Sequence, residues 1–340
     1  MTYSVEMAVS EAFAILSGRI AEGSSRLGKT VRLREDIFTE RATYFPLSPP
    51  GLWSANRKCR MVQTHDGWIS VNLPRQSDLE LVPAWIGCGF DREPWPAIVA
   101  AARERHADEL VNGAQQLSLA VARVGSVVSR DVLAPLVTAG DIRSTKSSPL
   151  RVVDLSALWA GPLCGALLAE MGADVLKIDS TARPDDGAFY EWLNGMKTHR
   201  ALDFRDSGDV EQLRSSMLAA DVVITSARPR AFDQLGISLT EIFQANPSLV
   251  WVAITGYGWL DDRAGRVAFG DDAAAAGGLV RWSEGHPLFF GDAIADPLTG
   301  LAAAAGAFEA LTRGGGYLVD AALARTAAGT VHKLTQQEPV

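Results

Sequence analysis

The second half of the chain changes its hydrophobic period in a regular rhythm, and this limits the possible folds more than any other feature. Residues 151–155, RVVDL, read as a short buried strand. Residues 161–172, GPLCGALLAEMG, read as a helix of small apolar residues stopped by Gly172, and 173–179, ADVLKID, return to a strand pattern. The rhythm continues with a helix near 209–219, a strand over 221–225 (DVVIT), a helix over 239–246 (LTEIFQAN) and a strand over 249–255 (LVWVAIT). Such alternation predicts an α/β fold, a Rossmann-like doubly wound parallel sheet with right-handed crossovers. Ligands of such sheets bind beyond the carboxyl ends of the strands, so functional residues should follow each strand directly.

The first half has a different texture. Residues 51–74 suggest a hairpin or meander around the turn HDG, and 95–125 look mainly helical. We therefore expect a second, smaller α+β domain over 1–127, with a helical lead-in, and a linker over 128–149 rich in Ser, Thr and Lys at its end. The Rossmann-like domain then covers 150–330 and a tail 331–340. A chain of 340 residues, 47% hydrophobic and 21% charged, has room for two such cores. Cys59, Cys88 and Cys164 are far apart without metal-type spacing, so neither a disulfide framework nor a structural metal is expected, and the cytoplasm is the expected location. The first residues lack a basic export signal, and no apolar run is long enough to span a membrane. A net charge of -8 argues against non-specific nucleic-acid binding but leaves room for a local basic pocket.

The first strand-to-helix turn, DLSALWAGPLCG, carries only Gly161 and Gly165, with Trp159 where a dinucleotide would need close backbone approach. A nicotinamide enzyme is disfavoured, although a helix N-terminus remains to seat an anion. Basic residues follow several strands: Lys177 and Arg183, Lys197 and Arg200, Arg228 and Arg230. Each cluster alone fits a solvated face; their shared placement suggests a polyanion pocket for a nucleotide or coenzyme A. Residues 291–300, GDAIADPLTG, set Asp296 before Pro297 and a long Ala-rich run. Taken alone, this is a helix start with Asp296 as N-cap and Pro297 first in the helix. The helix N-terminus should then favour the ionised carboxylate.

Four segments in register resemble the class III CoA-transferases, the CaiB/BaiF family: VVDLSALWAGPLCGALLAEMGADVLKID, ADVVITSARPRAFDQLG, NPSLVWVAITGYG and ADPLTGLAAAAGAFEAL, across about 150–313. The resemblance implies that Asp296, with Gly300 four residues on, is the nucleophile of a CoA transfer between an acyl-CoA thioester and a carboxylic acid. It passes through an aspartyl anhydride and an aspartyl-CoA thioester. It further implies that Trp159, Ala160, Asn194, Lys197, Ser226, Ala227 and Arg228 contact CoA, and that Asp271 or Asp272 supplies a second carboxylate. CoA enters as substrate, with no permanent cofactor and no metal, and a homodimer is expected. Gly291 or the run AAAAGGL (273–279) could admit an oxyanion.

Three features depart from the family pattern. The turn HDGWISVNLP precedes the CoA-binding motifs rather than following them, so the small domain comes first, and residues 8–19 resemble a worn copy of the segment before the nucleophile. Ser180 and Gln234 stand where formyl-CoA transferase carries basic CoA contacts, with Arg183 or Arg230 as possible substitutes. Two alternatives stand beside the transferase: an acyl-CoA racemase or epimerase, the family's other branch, and a non-catalytic CoA-binding subunit, suggested by the permuted order and the two lost basic positions. The racemase branch commonly has a histidine before the Ala-rich helix, where this chain has Phe269 and Gly270, with His286 in a polar loop. His65, His106, His199 and His332 lie among polar residues without metal spacing and are expected to face solvent.

Overall fold

A three-stranded antiparallel sheet forms in the N-terminal half of the computed structural model, which describes residues 4–142, 149–182 and 184–335. It consists of β1 (Cys59–Thr64), β2 (Gly67–Asn72) and β3 (Ala120–Arg123). The expected hairpin is present: the Thr64–Gly67 pair closes it and leaves His65 and Asp66 as a two-residue loop. Asp66 accepts a hydrogen bond of 2.8 Å from the Ala107 N–H, which fastens the turn to helix Ala107–Gln116 and holds its carboxyl down at about 2. Val62, Val71, Trp85, Ile98 and Leu110 give this sheet and its helices their own core. β3 lies in the segment expected to be mainly helical. Helices Pro94–Arg103 and Ala107–Gln116 carry that reading, but the short apolar run after Leu117 pairs with β2 instead, and periodicity cannot separate the two over so few residues.

The large sheet contains β4 (Leu136–Thr138), β5 (Arg151–Asp154), β6 (Asp174–Ser180), β7 (Thr198–Leu202), β8 (Val222–Thr225) and β9 (Val250–Thr255). A small hairpin of β10 (Arg281–Ser283) and β11 (His286–Leu288) follows, and β12 (Tyr317–Ala322) returns to the large sheet. The spatial order is β7-β6-β5-β8-β9-β12-β4, parallel throughout except for β4 at the edge. The order reverses between β5 and β8, the switch point at which doubly wound sheets open a crevice. Helix Ala160–Met171 ends at Gly172, whose φ of 111° allows the left-handed stop. Side chains alternate between the two faces: Val222, Ile224, Val250 and Val252 enter one core, and Val223, Trp251 and Ala253 the other.

Helix Ala295–Thr312 is apolar on nearly all sides and must be covered all round. Helix Ala160–Met171 covers one side, and helix Val5–Arg26, through Leu16 and Ile20, covers another. The lead-in helix expected with the small domain therefore packs into the large core, because the Ala-rich helix has no other cover there. The segment expected as a linker also joins that core through Val132 and Ala134 before forming β4. Its residues 143–148 lie outside the described residues, as do 336–340 of the expected tail and Arg183. No described helix is long and apolar enough to cross a membrane.

Candidate active site

Asp296 sits in the first turn of helix Ala295–Thr312 but does not cap it. The chain is already helical at Ile294, with φ −57° and ψ −24°, so Asp296 and Pro297 are the second and third helical residues rather than cap and first residue. Pro297 is tolerated there because N–H groups of the first turn have no helical acceptor anyway. The Asp296 backbone N–H donates to the Ala293 carbonyl at 2.8 Å, and no side-chain cap bond forms. The carboxylate is therefore free for other work. It lies against Gly270, where an added Cβ would come within 2.6 Å of Asp296 Oδ2 and 2.4 Å of the Ala293 carbonyl oxygen. Ala293 holds a left-handed φ of 44°, and Leu158, which lines the site from the first βα turn, one of 68°. Such strain in non-glycine residues concentrates at functional sites.

Three further carboxylates surround Asp296. Asp271 Oδ1 accepts from the Ala293 N–H at 3.0 Å, and burial followed by the nearby Asp292 pushes its carboxyl up to about 7. Asp272 Oδ1 accepts from Asn72 Nδ2 at 2.8 Å and from the Phe269 N–H at 2.9 Å, yet burial pushes it up to about 7 as well. Burial, then Asp271, pushes Asp296 up to about 8. The helix N-terminus thus does not keep Asp296 ionised as expected. Its contribution, about 0.3–1 kcal/mol, is smaller than the combined effect of desolvation and like charge. The counter-charge is Arg41, whose Nη1 lies 2.5 Å from Asp292 Oδ2.

Two cavities meet at this carboxylate. A chamber of about 210 Å³ is lined by Arg41, Phe45, Asn72, Trp159, Phe189 and Asp271, among others. A longer cleft of about 640 Å³ runs along the switch point past Ala160, Ser226, Ala227 and Arg228, with Arg75 and Arg266 on its walls. Asp296, Leu158 and Phe269 line both. Ser226 Oγ accepts from the Ala157 N–H at 2.9 Å, joining the ends of β5 and β8. Burial and the like charges of Arg230 and Arg75 lower the proton affinity of Arg228. Among the described residues neither Arg228 nor Arg266 pairs with a carboxylate, so this basic wall is open to an anion.

Of the residues expected at CoA, Ala160, Ser226, Ala227 and Arg228 line the cleft, and Trp159 faces the chamber instead. Asn194 and Lys197 face neither. Lys197 Nζ is buried and donates to Asp154 Oδ2 at 2.8 Å, the Pro162 carbonyl at 2.8 Å and Asn194 Oδ1 at 2.7 Å, which uses all three ammonium protons. It braces the start of helix Ala160–Met171 from within the core. Lys177 is likewise buried, 2.5 Å from Asp179, while Arg200 and Arg230 are exposed, and Gln234 lines a separate surface pocket. Asp271 and Asp272 both reach the carboxylate cluster. Gly291 lines neither cavity and holds a left-handed φ of 68°, and 273–276 are buried helix, so neither stretch lies where it could admit an oxyanion. His286 is exposed against Trp68, and no metal-type cluster occurs among the described residues. Sequence reasoning missed Arg41, Asn72, Arg75, Arg266 and Asp292 as site residues. Asn72 lies within the HDGWISVNLP motif with Arg75 directly after it, and Asp292 lies within GDAIADPLTG, whereas Arg41 and Arg266 carry no local signal.

The family model described as CoA-transferase family III matches residues 148–338. Among curated proteins the chain is similar to the Chloroflexus aurantiacus succinyl-CoA–L-malate CoA-transferase beta subunit, 30% identical over 197 residues covering 51% of this chain and 48% of that protein. It is also similar to an Escherichia coli formyl-CoA:oxalate CoA-transferase, 27% identical over 183 residues, 49% of this chain and 44% of the other. Among solved structures it resembles a CAIB/BAIF family protein from Brucella suis, with a TM-score of 0.50 and 29% identity over 55% of each chain. The chain spans about half the length of the curated relatives it matches. With the model matching more than half of its residues, every strand of the large sheet except β4, the switch point and the Asp296 helix among them, the chain belongs to CoA-transferase family III.

Proposed function

We propose that this protein is an acyl-CoA:carboxylate CoA-transferase with Asp296 as its nucleophile. The observation that carries the reading is an uncapped carboxylate at the junction of a basic cleft and a chamber. The relatives' names, which join CoA thioesters to carboxylic acids, support the reaction class. In this reading the phosphates of CoA lie along Arg75, Arg228 and Arg266, and the thioester reaches Asp296. Arg75 and Arg266 take over from the basic positions that Ser180 and Gln234 lack, and the N-terminal α+β unit serves as the small domain. The assembly is a homodimer and the location the cytoplasm.

The chemistry runs in balanced steps. An Asp296 oxygen attacks the thioester carbonyl; a C–O bond forms, the C–S bond breaks, and an acyl-aspartyl anhydride and CoA thiolate result. The thiolate returns to the Asp296 side-chain carbonyl, releasing the donor acid and leaving an aspartyl-CoA thioester. The acceptor carboxylate then reverses the two steps and leaves with CoA. Burial and the nearby Asp271 raise the Asp296 carboxyl to about 8, so turnover that needs the carboxylate should rise with pH through the neutral range.

The same three carboxyls near neutrality also suit proton transfer, which favours a second reading, an acyl-CoA racemase or epimerase. One experiment separates them. The protein is incubated in D2O with succinyl-CoA or a 2-methylacyl-CoA and a set of carboxylic acids, and the CoA esters are analysed by mass. New CoA esters of the added acids support the transferase. Deuterium at the α-carbon without exchange of the acyl group supports the racemase, and neither product rules out both.

A further inference from the structure

We propose that the Arg41–Asp292 ion pair regulates the charge on Asp296, with Arg41, brought in from the N-terminal half of the chain, as a positioning residue that keeps the Asp296 carboxylate available and Asp292 as the group that limits this effect. The electrostatic claim stands on geometry; its use in catalysis rests on Asp296 being the nucleophile.

Arg41 is the one cation among the described residues that line the chamber. Its guanidinium is held 4.7 Å over the Phe45 ring and 5.8 and 5.9 Å from those of Trp159 and Phe189, so it is fixed between aromatic faces. The ion pair with Asp292 is largely removed from water, the two side chains being 19% and 8% exposed. Charges at that depth are weakly screened and act across the chamber. Asp292 Oδ1 has no hydrogen-bond partner, so the pair is incompletely satisfied and Asp292 retains influence over its neighbours. Asp292 lies four residues before Asp296, in the turn that leads into its helix.

The other charged groups facing Asp296 set the background. Asp271 and Asp272 press on it from helix Gly270–Ala276, and Asp185 and Asp186 line the chamber from the loop after β6. Arg75, Arg228 and Arg266 line the cleft on its far side. Against this excess of acid, Arg41 favours the ionised form of both Asp271 and Asp296, and Asp292 opposes it. The two members of one ion pair therefore pull Asp296 in opposite directions, and their removal should have opposite signs.

The test is a carboxyl titration of the whole chain, labelled with 13C at aspartate side chains and followed by NMR, the Asp296 signal being identified by its loss in Asp296→Asn. Arg41→Gln should move the Asp296 midpoint upward by about one pH unit, Asp292→Asn should move it downward, and Arg41→Lys should leave it near the wild type. Midpoints unchanged in both Arg41→Gln and Asp292→Asn, or shifted in the same direction, would overturn the proposal. If Arg41→Gln does not fold, the downward shift in Asp292→Asn decides alone. The titration needs no turnover: opposite shifts in a protein that exchanges no CoA would sink the transferase reading and leave this one standing.

Discussion

The cleft and the chamber share one carboxylate but present opposite surroundings to it. The cleft is the larger of the two, with Arg75, Arg228 and Arg266 on its walls and no carboxylate paired with the last two among the described residues. The chamber is smaller and more enclosed, with aromatic rings and acids around a single arginine already committed to Asp292. A basic wall left unneutralised suits the anionic carrier of the proposed reaction. A cluster of buried acids instead raises the proton affinity of its own members. In the proposed reading, binding belongs to the cleft and reactivity to the chamber, and Asp296 lines both.

Several variants test that division. The largest effect belongs to Asp296→Asn, which should reduce CoA exchange by about 1,000-fold or more while CoA affinity changes little; a variant with near-normal exchange would remove Asp296 from the chemistry. Lys197→Met asks whether Lys197 belongs to the core rather than the cleft. Leaving Asp154 buried without its partner should destabilise the fold by about 3–5 kcal/mol in denaturant titrations, with CoA affinity of the folded fraction unaltered. Arg228→Ala and Arg75→Ala probe the cleft. Each should weaken CoA binding about tenfold in calorimetry, as loss of a charge-assisted hydrogen bond predicts, without altering binding of an acyl-pantetheine, which lacks the nucleotide phosphates.

The smallest effect concerns the chamber and pH. Asp271, Asp272 and Asp296 bind protons more tightly folded, at about 7, 7 and 8, than an unfolded aspartate does near its ordinary value of 3.8. The folded state therefore holds more protons across that range, and the stability these groups contribute is complete at low pH and is lost as pH rises from about 4 to 8. Asp271→Asn, which can still accept from the Ala293 N–H, should remove part of that slope and stabilise the protein at pH 8 by on the order of 1–2 kcal/mol. Thermal melts that lose stability with pH equally in both proteins would contradict the assignment.

Much of the large sheet was legible because its central strands β8 and β9 are buried on both faces and read as apolar runs, and because helix Ala160–Met171 ends on a recognisable signal, Gly172. Arg228 was placed by the end of its strand, whereas Ala160 and Ser226 entered through the family resemblance; all three line the cleft. Lys197 was misassigned because sequence gives a basic residue near a strand but not its partner, and Asp154 lies 43 positions away. Arg41 and Asn72 were illegible for a related reason. They reach the site through the packing of the N-terminal half on helices Gly270–Ala276 and Ala295–Thr312, a tertiary relation with no periodic trace. The ionisation of Asp296 was read with the wrong sign because a helix N-terminus is visible in sequence, whereas crowding by Asp271, Asp272 and Asp292 appears only on folding.

The most direct test of the central claim is intact-mass and peptide analysis of the wild type after brief incubation with succinyl-CoA, with hydroxylamine to trap an activated carboxyl. An acyl or CoA adduct, or its hydroxamate, on the peptide containing Asp296 is the predicted result. An unmodified Asp296 in a protein that binds CoA and exchanges it between acids would contradict the account and move the chemistry elsewhere.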